Sequence, residues 1–328
     1  MTEALRLDEV ATFSCPKCLA SGAWAFTEGP AKRLNSIVAI ARCGACGSRI
    51  FIKRLLPSAD EGAANRAVRE FTTAEALHRA FDADPGSGVA RPLGQLGAAL
   101  LFEFVDGEVL SETLRSGTRS EQCIASSRIG AWFARFHCVG ASGTGPGDFA
   151  QKFSAIANHC SADTGLPSTA MAALRHLRDG IPALAGRVFN IVHMHGDAKA
   201  ENFILVGSRV VAVDVDGHFT NIGEMDLAQF LVQLVIAQAG ILGRVDEERT
   251  HDLEIAFLDG YGRTVAHDPE VLDWMKLYYW LSFWMSTRRR GPIHGMRLNG
   301  LFRRRIEACL RNADHCVAKN QIPDPARG

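Results

Sequence analysis

The sequence predicts an α+β protein in two lobes, a small β-rich N-terminal lobe and a larger, mostly helical C-terminal lobe. Three observations carry this. Two Cys-x-x-Cys pairs, Cys15/Cys18 and Cys43/Cys46, bracket short apolar runs near the N-terminus. Further runs of strand length continue to Phe104, broken by one stretch of helix formers. Beyond that point apolar residues recur at helical spacing, interrupted by Phe189 to Gly217, which reads as a strand, a polar loop and a hairpin.

After an uninformative lead, Met1 to Thr12, the cysteines come first. Cys15-Pro16-Lys17-Cys18 and Cys43-Gly44-Ala45-Cys46-Gly47 have the spacing of a zinc ribbon over residues 13–48, two knuckles that aim paired thiolates at one tetrahedral ion. Four cysteines close the coordination shell, so the expected Zn2+ is structural rather than catalytic. A redox pair is the alternative. The total of nine cysteines is odd and argues against a disulfide framework; the other five sit singly in helical patterns, as small buried hydrophobes do.

Ala23 to Phe26 and Ser36 to Ala41 are expected as two strands joined by a loop, Thr27 to Asn35. No linker separates the ribbon from the next strand, Arg49 to Leu56, whose Lys53 stands inside an apolar run. Asp60 to Phe81 follows as a helix with an apolar stripe at Ala67, Phe71, Ala74, Leu77 and Phe81. Glu70 lies on that stripe, and a carboxylate facing inward needs a partner. Lys53 is the natural one and Glu75 the alternative acid. Arg91 to Gly94 reads as a turn, Ala98 to Phe104 as a buried strand, and Val105-Asp106-Gly107-Glu108 as a bend that glycine permits.

The second lobe is predicted as helices over Val109 to Leu114, Glu121 to Val139, one or two within Phe149 to Ala185, Leu227 to Leu242, Glu247 to Tyr261, Pro269 to Thr287 and Leu298 to Lys319. Ala141 to Asp148 is glycine-rich but lacks a lysine after its last glycine and follows no strand, so a connector is expected there. Trp274, Tyr278, Trp280 and Trp284 at helical spacing read as core rather than a stacking box, and His137 as a packed helix-end residue.

In the interrupting segment, His195-Gly196-Asp197-Ala198-Lys199-Ala200-Glu201-Asn202 is a polar loop, followed by arms Phe203 to Val206 and Val210 to Val213 that turn through Gly207-Ser208-Arg209. Asp197, Asn202 and Asp214 therefore leave the ends of apolar strands. Phosphoryl transfer needs a carboxylate near the attacking hydroxyl, oxygen ligands for Mg2+ and cations on the phosphates; this set offers the first two, and Lys199, two residues past Asp197, a cation.

His195-Gly196-Asp197 with Asn202 five positions past the aspartate, then Val213-Asp214-Val215-Asp216, resembles the catalytic core of aminoglycoside phosphotransferase-like kinases, relatives of choline kinase and of the protein kinases. The resemblance implies a bilobal protein kinase-like fold with the ribbon built into its small lobe and Val105-Asp106-Gly107-Glu108 as the hinge, dividing 1–104 from 105–328. It implies ATP as donor and Mg2+ held by Asn202 and Asp214, with Asp216 sharing the metal or facing the acceptor. Asp197 would receive or orient the acceptor proton, His195 would hold the loop, and Lys199 would reach the γ-phosphate. Lys53 paired with Glu70 would grip the α- and β-phosphates, and backbone groups from Glu103 to Val105 would take the adenine edge. Asp226-Leu227-Ala228 matches the family's D-L-A signature, where Asp226 would cap a helix or brace the catalytic loop. The glycine-rich phosphate loop is missing; only Gly29-Pro30 stands in its place, with Lys32 or Arg33 as substitutes. The interval from Asp214 to Asp226 leaves no room for a peptide-binding activation segment, so the acceptor is expected to be a hydroxyl of a small molecule.

Composition agrees with a cytoplasmic enzyme: 47% hydrophobic and 22% charged residues, net charge zero, and no apolar stretch of membrane length. Neutrality gives no bias toward nucleic acid or a membrane surface. From Arg288 onward basic residues far outnumber Glu307, Asp314 and Asp324, which argues mildly against a polycationic acceptor and keeps a sugar, an amino alcohol or an anionic, phosphorylated acceptor open. Two rivals remain from the residues alone. One is a pseudokinase or nucleotide-sensing module, and the other a nucleic-acid-binding ribbon using Lys32, Arg33 and Arg42.

Overall fold

Period-two alternation decides which side of each N-terminal strand is covered. β1 (Trp24–Lys32), β2 (Ser36–Cys43) and β3 (Arg49–Leu55) run antiparallel, with Val38 opposite Lys53 and Arg42 opposite Arg49. Ile37, Ala39, Ala41 and Cys43 of β2 and Ile50 and Ile52 of β3 fall on one face, where they pack with Val10, Cys15 and Trp24. Ile50 and Ile52 are fully buried, and each contributes roughly 1.5–3 kcal/mol. The ribbon and the sheet thus share a core.

The chain is described by a computed structural model over residues 10–57, 62–163, 165–215, 217, 219–240, 243–289 and 298–311. It forms two compact units. One comprises the chain up to Leu110 with Met194–Asp197 and Glu201–Phe219; the other comprises Ser111–His193, Ala198–Ala200 and the chain from Thr220 on.

In the first unit, α1 (Ala63–Phe81) lies on the opposite sheet face, where Ala67 packs with Leu55 and Leu100. β4 (Ser87–Val89), β5 (Pro92–Leu96) and β6 (Ala99–Glu103) follow, giving a five-stranded sheet in the order β1-β2-β3-β6-β5. After β7 (Glu108–Val109), the unit is completed by the hairpin β10 (Phe203–Val206) and β11 (Arg209–Ala212), in a second sheet ordered β4-β11-β10-β7. β4 runs parallel to β11.

The second unit holds β8 (Ala141–Pro146), β9 (Val188–His193) and β12 (Thr220–Ile222) in a small antiparallel sheet with β9 central. Its helices are α2 (Leu110–Ser116, whose first residue groups with the other unit), α3 (Arg119–Val139), α4 (Phe149–Ser161), α5 (Ser168–Leu184), α6 (Gly223–Gln238), α7 (Glu247–Gly262), α8 (Pro269–Arg289) and α9 over 298–311. A capping box starts α3: Thr118 accepts from the Glu121 N–H while the Glu121 carboxylate accepts from the Thr118 N–H. Trp274, Trp280 and Trp284 are buried, and Trp274 stacks on Tyr278 at 6.1 Å, so this aromatic group is core. No described helix is long and apolar enough to cross a membrane.

Three local expectations change. Thr27–Asn35 is mostly strand: β1 runs on to Lys32 through two register shifts against β2. Gly29 permits this at φ +79°, where a Cβ would come within 2.8 Å of the Val38 carbonyl oxygen. Pro92 to Gly94 belongs to β5, an edge strand that tolerates proline's missing N–H. Ala141–Pro146 is β8, also at an edge, because pairing with β9 overrides its weak intrinsic propensity. Parts of the basic C-terminal end, 290–297 and 312–328, lie outside the described residues.

Candidate functional site

The first unit gathers Lys53, Glu70 and Asp214 around one ammonium. Lys53 leaves the α1-facing side of β3, its Nζ 3.0 Å from Glu70 Oε2 and 2.5 Å from Asp214 Oδ1. Burial alone would pull the lysine pKa down, but the charges of Asp214 and Glu70 outweigh it and leave the pKa above its ordinary value. The cation is therefore fixed. Glu70 also accepts from Arg66 Nη2 at 3.3 Å, one turn earlier on α1. The sequence signal for Arg66 is its i,i+4 spacing to Glu70.

Asp214 follows β11 with φ +56°, a left-handed conformation costing a non-glycine residue about 1 kcal/mol or more. That turn takes its carboxylate out of the strand's alternation and onto Lys53. Across the hairpin, the Val213 N–H donates to the Asn202 carbonyl at 2.9 Å, so Asn202 and Asp214 stand at the same open end. Buried Asn202 donates through Nδ2 to the Asp197 carbonyl at 2.8 Å and to Asp197 Oδ2 at 3.2 Å. Its amide oxygen is then the atom left for a cation.

His195 is fully buried, packs at a tilt against the Phe203 ring and accepts the Asp197 N–H through Nδ1 at 3.4 Å. The neighbouring backbone is tied from both sides, Met194 N–H to the Phe219 carbonyl and Gly217 N–H to the Met194 carbonyl, each at 3.0 Å. Lys199 is half-buried just before the short 3-10 turn Ala200–Asn202. Glu103 ends β6 with its side chain exposed and its N–H bonded to the Arg91 carbonyl at 2.9 Å. Its carbonyl and the half-buried Val105 lead into the open stretch before β7. Asp216 lies outside the described residues.

In the second unit Asp226 is in the first turn of α6 rather than at its cap, which is Ile222 without a side-chain bond. The carboxylate is fully buried 3.4 Å from His137 Nε2, and His137 Nδ1 is 3.1 Å from the Tyr261 hydroxyl. Asp226 thus ties α6 to α3.

The thiols of Cys15, Cys18, Cys43 and Cys46 all lie within 4.8 Å of one another, with Cys15–Cys46 at 3.6 Å and Cys18–Cys43 at 3.7 Å. Tetrahedral Zn–S bonds of about 2.3 Å require sulfur separations of about 3.8 Å, so the cluster fits that ion. Cys46 Sγ lies 3.2 Å from Ser48 Oγ, and hydrogen bonding with Ser48 holds the Cys46 thiol down to about 6, whereas the Cys18 thiol is pushed up to about 12.

No protein-family profile and no curated protein sequence matches this chain. Solved structures do. An amicoumacin kinase in complex with AMP-PNP and Ca2+ superposes with TM-score 0.61 at 14% identity, over 92% of this chain and 91% of that one. A choline/ethanolamine kinase family protein from Mesorhizobium loti gives 0.61 at 17%, over 92% and 93%. A spectinomycin phosphotransferase in complex with ADP and spectinomycin gives 0.51 at 14%, over 88% and 92%. The fold is protein kinase-like. Its β-rich N-terminal unit carries the four-cysteine cluster as well.

Proposed function

We propose that the chain is a phosphotransferase that moves the γ-phosphate of ATP to a hydroxyl of a small molecule. The observation that supports this best is the Lys53 ammonium held between Glu70 and Asp214, beside a hairpin end that also presents Asn202 and Asp197. In such a reaction the acceptor oxygen bonds to phosphorus, the bond to the departing ADP oxygen breaks, and the hydroxyl proton must leave. Asp197 receives or orients that proton. Asn202, through its amide nitrogen, keeps the Asp197 carboxylate in one orientation. Lys53 neutralises phosphate charge, and Glu70 with Arg66 behind it keeps the lysine extended. Lys199 supplies a second cation near the transferred group.

Asn202 and Asp214 would hold Mg2+, which when bound neutralises charge on the phosphate oxygens, with Asp216 sharing the metal or facing the acceptor. Backbone groups from Glu103 to Val105 take the base. The four cysteines hold a structural Zn2+. The solved neighbours named for choline, ethanolamine and antibiotic acceptors support a small hydroxyl acceptor as the substrate class.

The test is a 31P NMR screen of sugars, amino alcohols, phosphorylated alcohols and aminoglycosides with Mg-ATP. A phosphoester product that Asp197→Asn fails to form is expected. Tight Mg-ATP binding with no transfer to any acceptor would favour nucleotide sensing, and no nucleotide binding at all would overturn the reading.

A further inference from the structure

The β2–β3 register sets Arg42 directly opposite Arg49, so two guanidinium groups leave the same face of the sheet. Like charges at opposed positions destabilise a strand pair unless something compensates them. Arg49 is compensated: its Nη2 is 2.9 Å from Asp106 Oδ2 and its guanidinium lies 3.9 Å from the centre of the Phe104 ring. Arg42 has no acidic partner among the described residues, and its guanidinium lies over Gly47 of the second cysteine turn, where a Cβ would come within 3.2 Å of Nη2. The two arginines, with Thr27, Glu28 and Gly47, line a cavity of about 400 Å³. This face also carries Lys53, four residues further along β3.

We propose that this cavity is a binding site for a small organic oxyanion. Arg42 is its principal ligand, Arg49 is pre-set beside it, and Glu28 accepts a hydrogen bond from a hydroxyl or amino group on the same molecule. A guanidinium fork suits a phosphate or carboxylate bidentately. The cavity exceeds a bare phosphate in size, and Glu28 selects for a donor next to the anion. Since Arg49 also holds Asp106, which follows the Glu103–Val105 stretch, occupancy is linked to the segment proposed to take the base. The anion site itself does not depend on the kinase reading.

Glycerol 3-phosphate, inorganic phosphate and glycerol are suitable probes for calorimetric titration of the full chain. Glycerol 3-phosphate should bind saturably and more tightly than phosphate, glycerol should not bind, and affinity should fall as ionic strength rises. Arg42→Ala and Arg42→Gln should each weaken glycerol 3-phosphate at least tenfold with the melting temperature held within about 2 °C, since the side chain is exposed. Lys53→Met should leave the titration intact. Absence of saturable binding, binding in both Arg42 variants as tight as in the parent protein, or loss in Lys53→Met would overturn the proposal, the last by placing the anion at the donor end.

Discussion

Lys53 and Asp214 stand 161 positions apart in the chain and meet at 2.5 Å, an ammonium on a strand of the first sheet against a carboxylate just past the hairpin. A pair this remote in sequence is not a by-product of local helix or turn geometry. It exists because the chain turns left-handed at Asp214, two residues past the end of β11, and because Glu70 anchors the lysine from the other side. Replacing Lys53 with Met should lower kcat/KM for Mg-ATP by roughly 10²–10³-fold, the cost of removing one preorganised charge from a developing phosphoryl centre. The effect on stability should be small, on the order of 1 kcal/mol. Asp214 is 45% exposed, so solvent screens its share of the interaction, and Glu70 keeps Arg66. Steady-state kinetics and thermal melting on the same preparation check both halves; a melting drop that accounts for the lost activity would remove the catalytic argument.

The two aspartates should fail differently. Asp197 is held by Asn202 and is assigned to the acceptor proton, whereas Asp214 touches Lys53 and is assigned to the metal. Asp197→Asn is expected to retain Mg-nucleotide affinity within about threefold while turnover falls by 10² or more. Asp214→Ala should weaken the Mg-nucleotide itself at least tenfold. Equilibrium binding of a fluorescent ATP analogue separates the outcomes, and parallel losses in both variants would sink the division of roles.

The charge cluster also has a definite pH signature. Burial lowers the Lys53 pKa, the two carboxylates raise it more, and the result lies above its ordinary value of 10.5. A lysine whose folded pKa is raised contributes stability that is fully present below the unfolded pKa and is lost as pH rises through the folded one. Melting temperature and nucleotide affinity should therefore show no Lys53-dependent decline between pH 7 and pH 9.5. The decline should begin only above about pH 10.4, and it should be missing in Lys53→Met. A Lys53-dependent fall centred near pH 8 would show that the ammonium is not held as described.

Much of this arrangement was legible in the sequence because its determinants are local. Cys-x-x-Cys turns place thiols by short-range geometry, and Glu70 on an apolar stripe announces a buried partner. The hairpin likewise puts Asn202 and Asp214 at one end through its register. What was not legible depends on partners distant in the chain. β8 exists because β9 offers it an edge, and β1 extends past Thr27 because β2 accepts its register shifts. Asp226 reads as a cap at the start of a helix, yet its partner His137 lies 89 positions earlier. The role of Arg66 is hidden in the sequence because an i,i+4 pair is ordinary until the glutamate it serves is known to hold a lysine.

Metal removal should reach well beyond the ribbon. Cys15 and Cys43 belong to the same buried cluster as Ile50 and Ile52, which precede Lys53 on β3. The expected content is one Zn2+ per chain by atomic absorption. Cys18→Ser, at the exposed corner of the site, should lose the metal and lower the melting temperature by about 20 °C or more, since structural zinc contributes on the order of 10 kcal/mol of folding energy and each kcal/mol is worth about 2–4 °C. A metal-free protein with unchanged melting would assign the four thiols to some other use.

The sharpest stability forecast concerns two glycines where α3 crosses α7. A Cβ added at Gly130 would sit 2.0 Å from the Phe257 carbonyl oxygen, and one added at Gly260 would sit 2.0 Å from that of Ser127. Each glycine therefore admits the other helix's backbone, and the obstructing atoms are main chain, which cannot swing aside as a side chain could. Ser126 Oγ donates to the Leu253 carbonyl at 2.7 Å in the same crossing, so moving the helices apart also strains a buried hydrogen bond. Gly130→Ala gains up to about 1 kcal/mol of helix propensity, yet overpacking here should cost about 2–3 kcal/mol and dominate. The same change at Gly262, which has open space around it, should be neutral or stabilising. Urea denaturation of the two variants decides the matter. A Gly130→Ala protein as stable as its parent would mean that the helices are not in backbone contact.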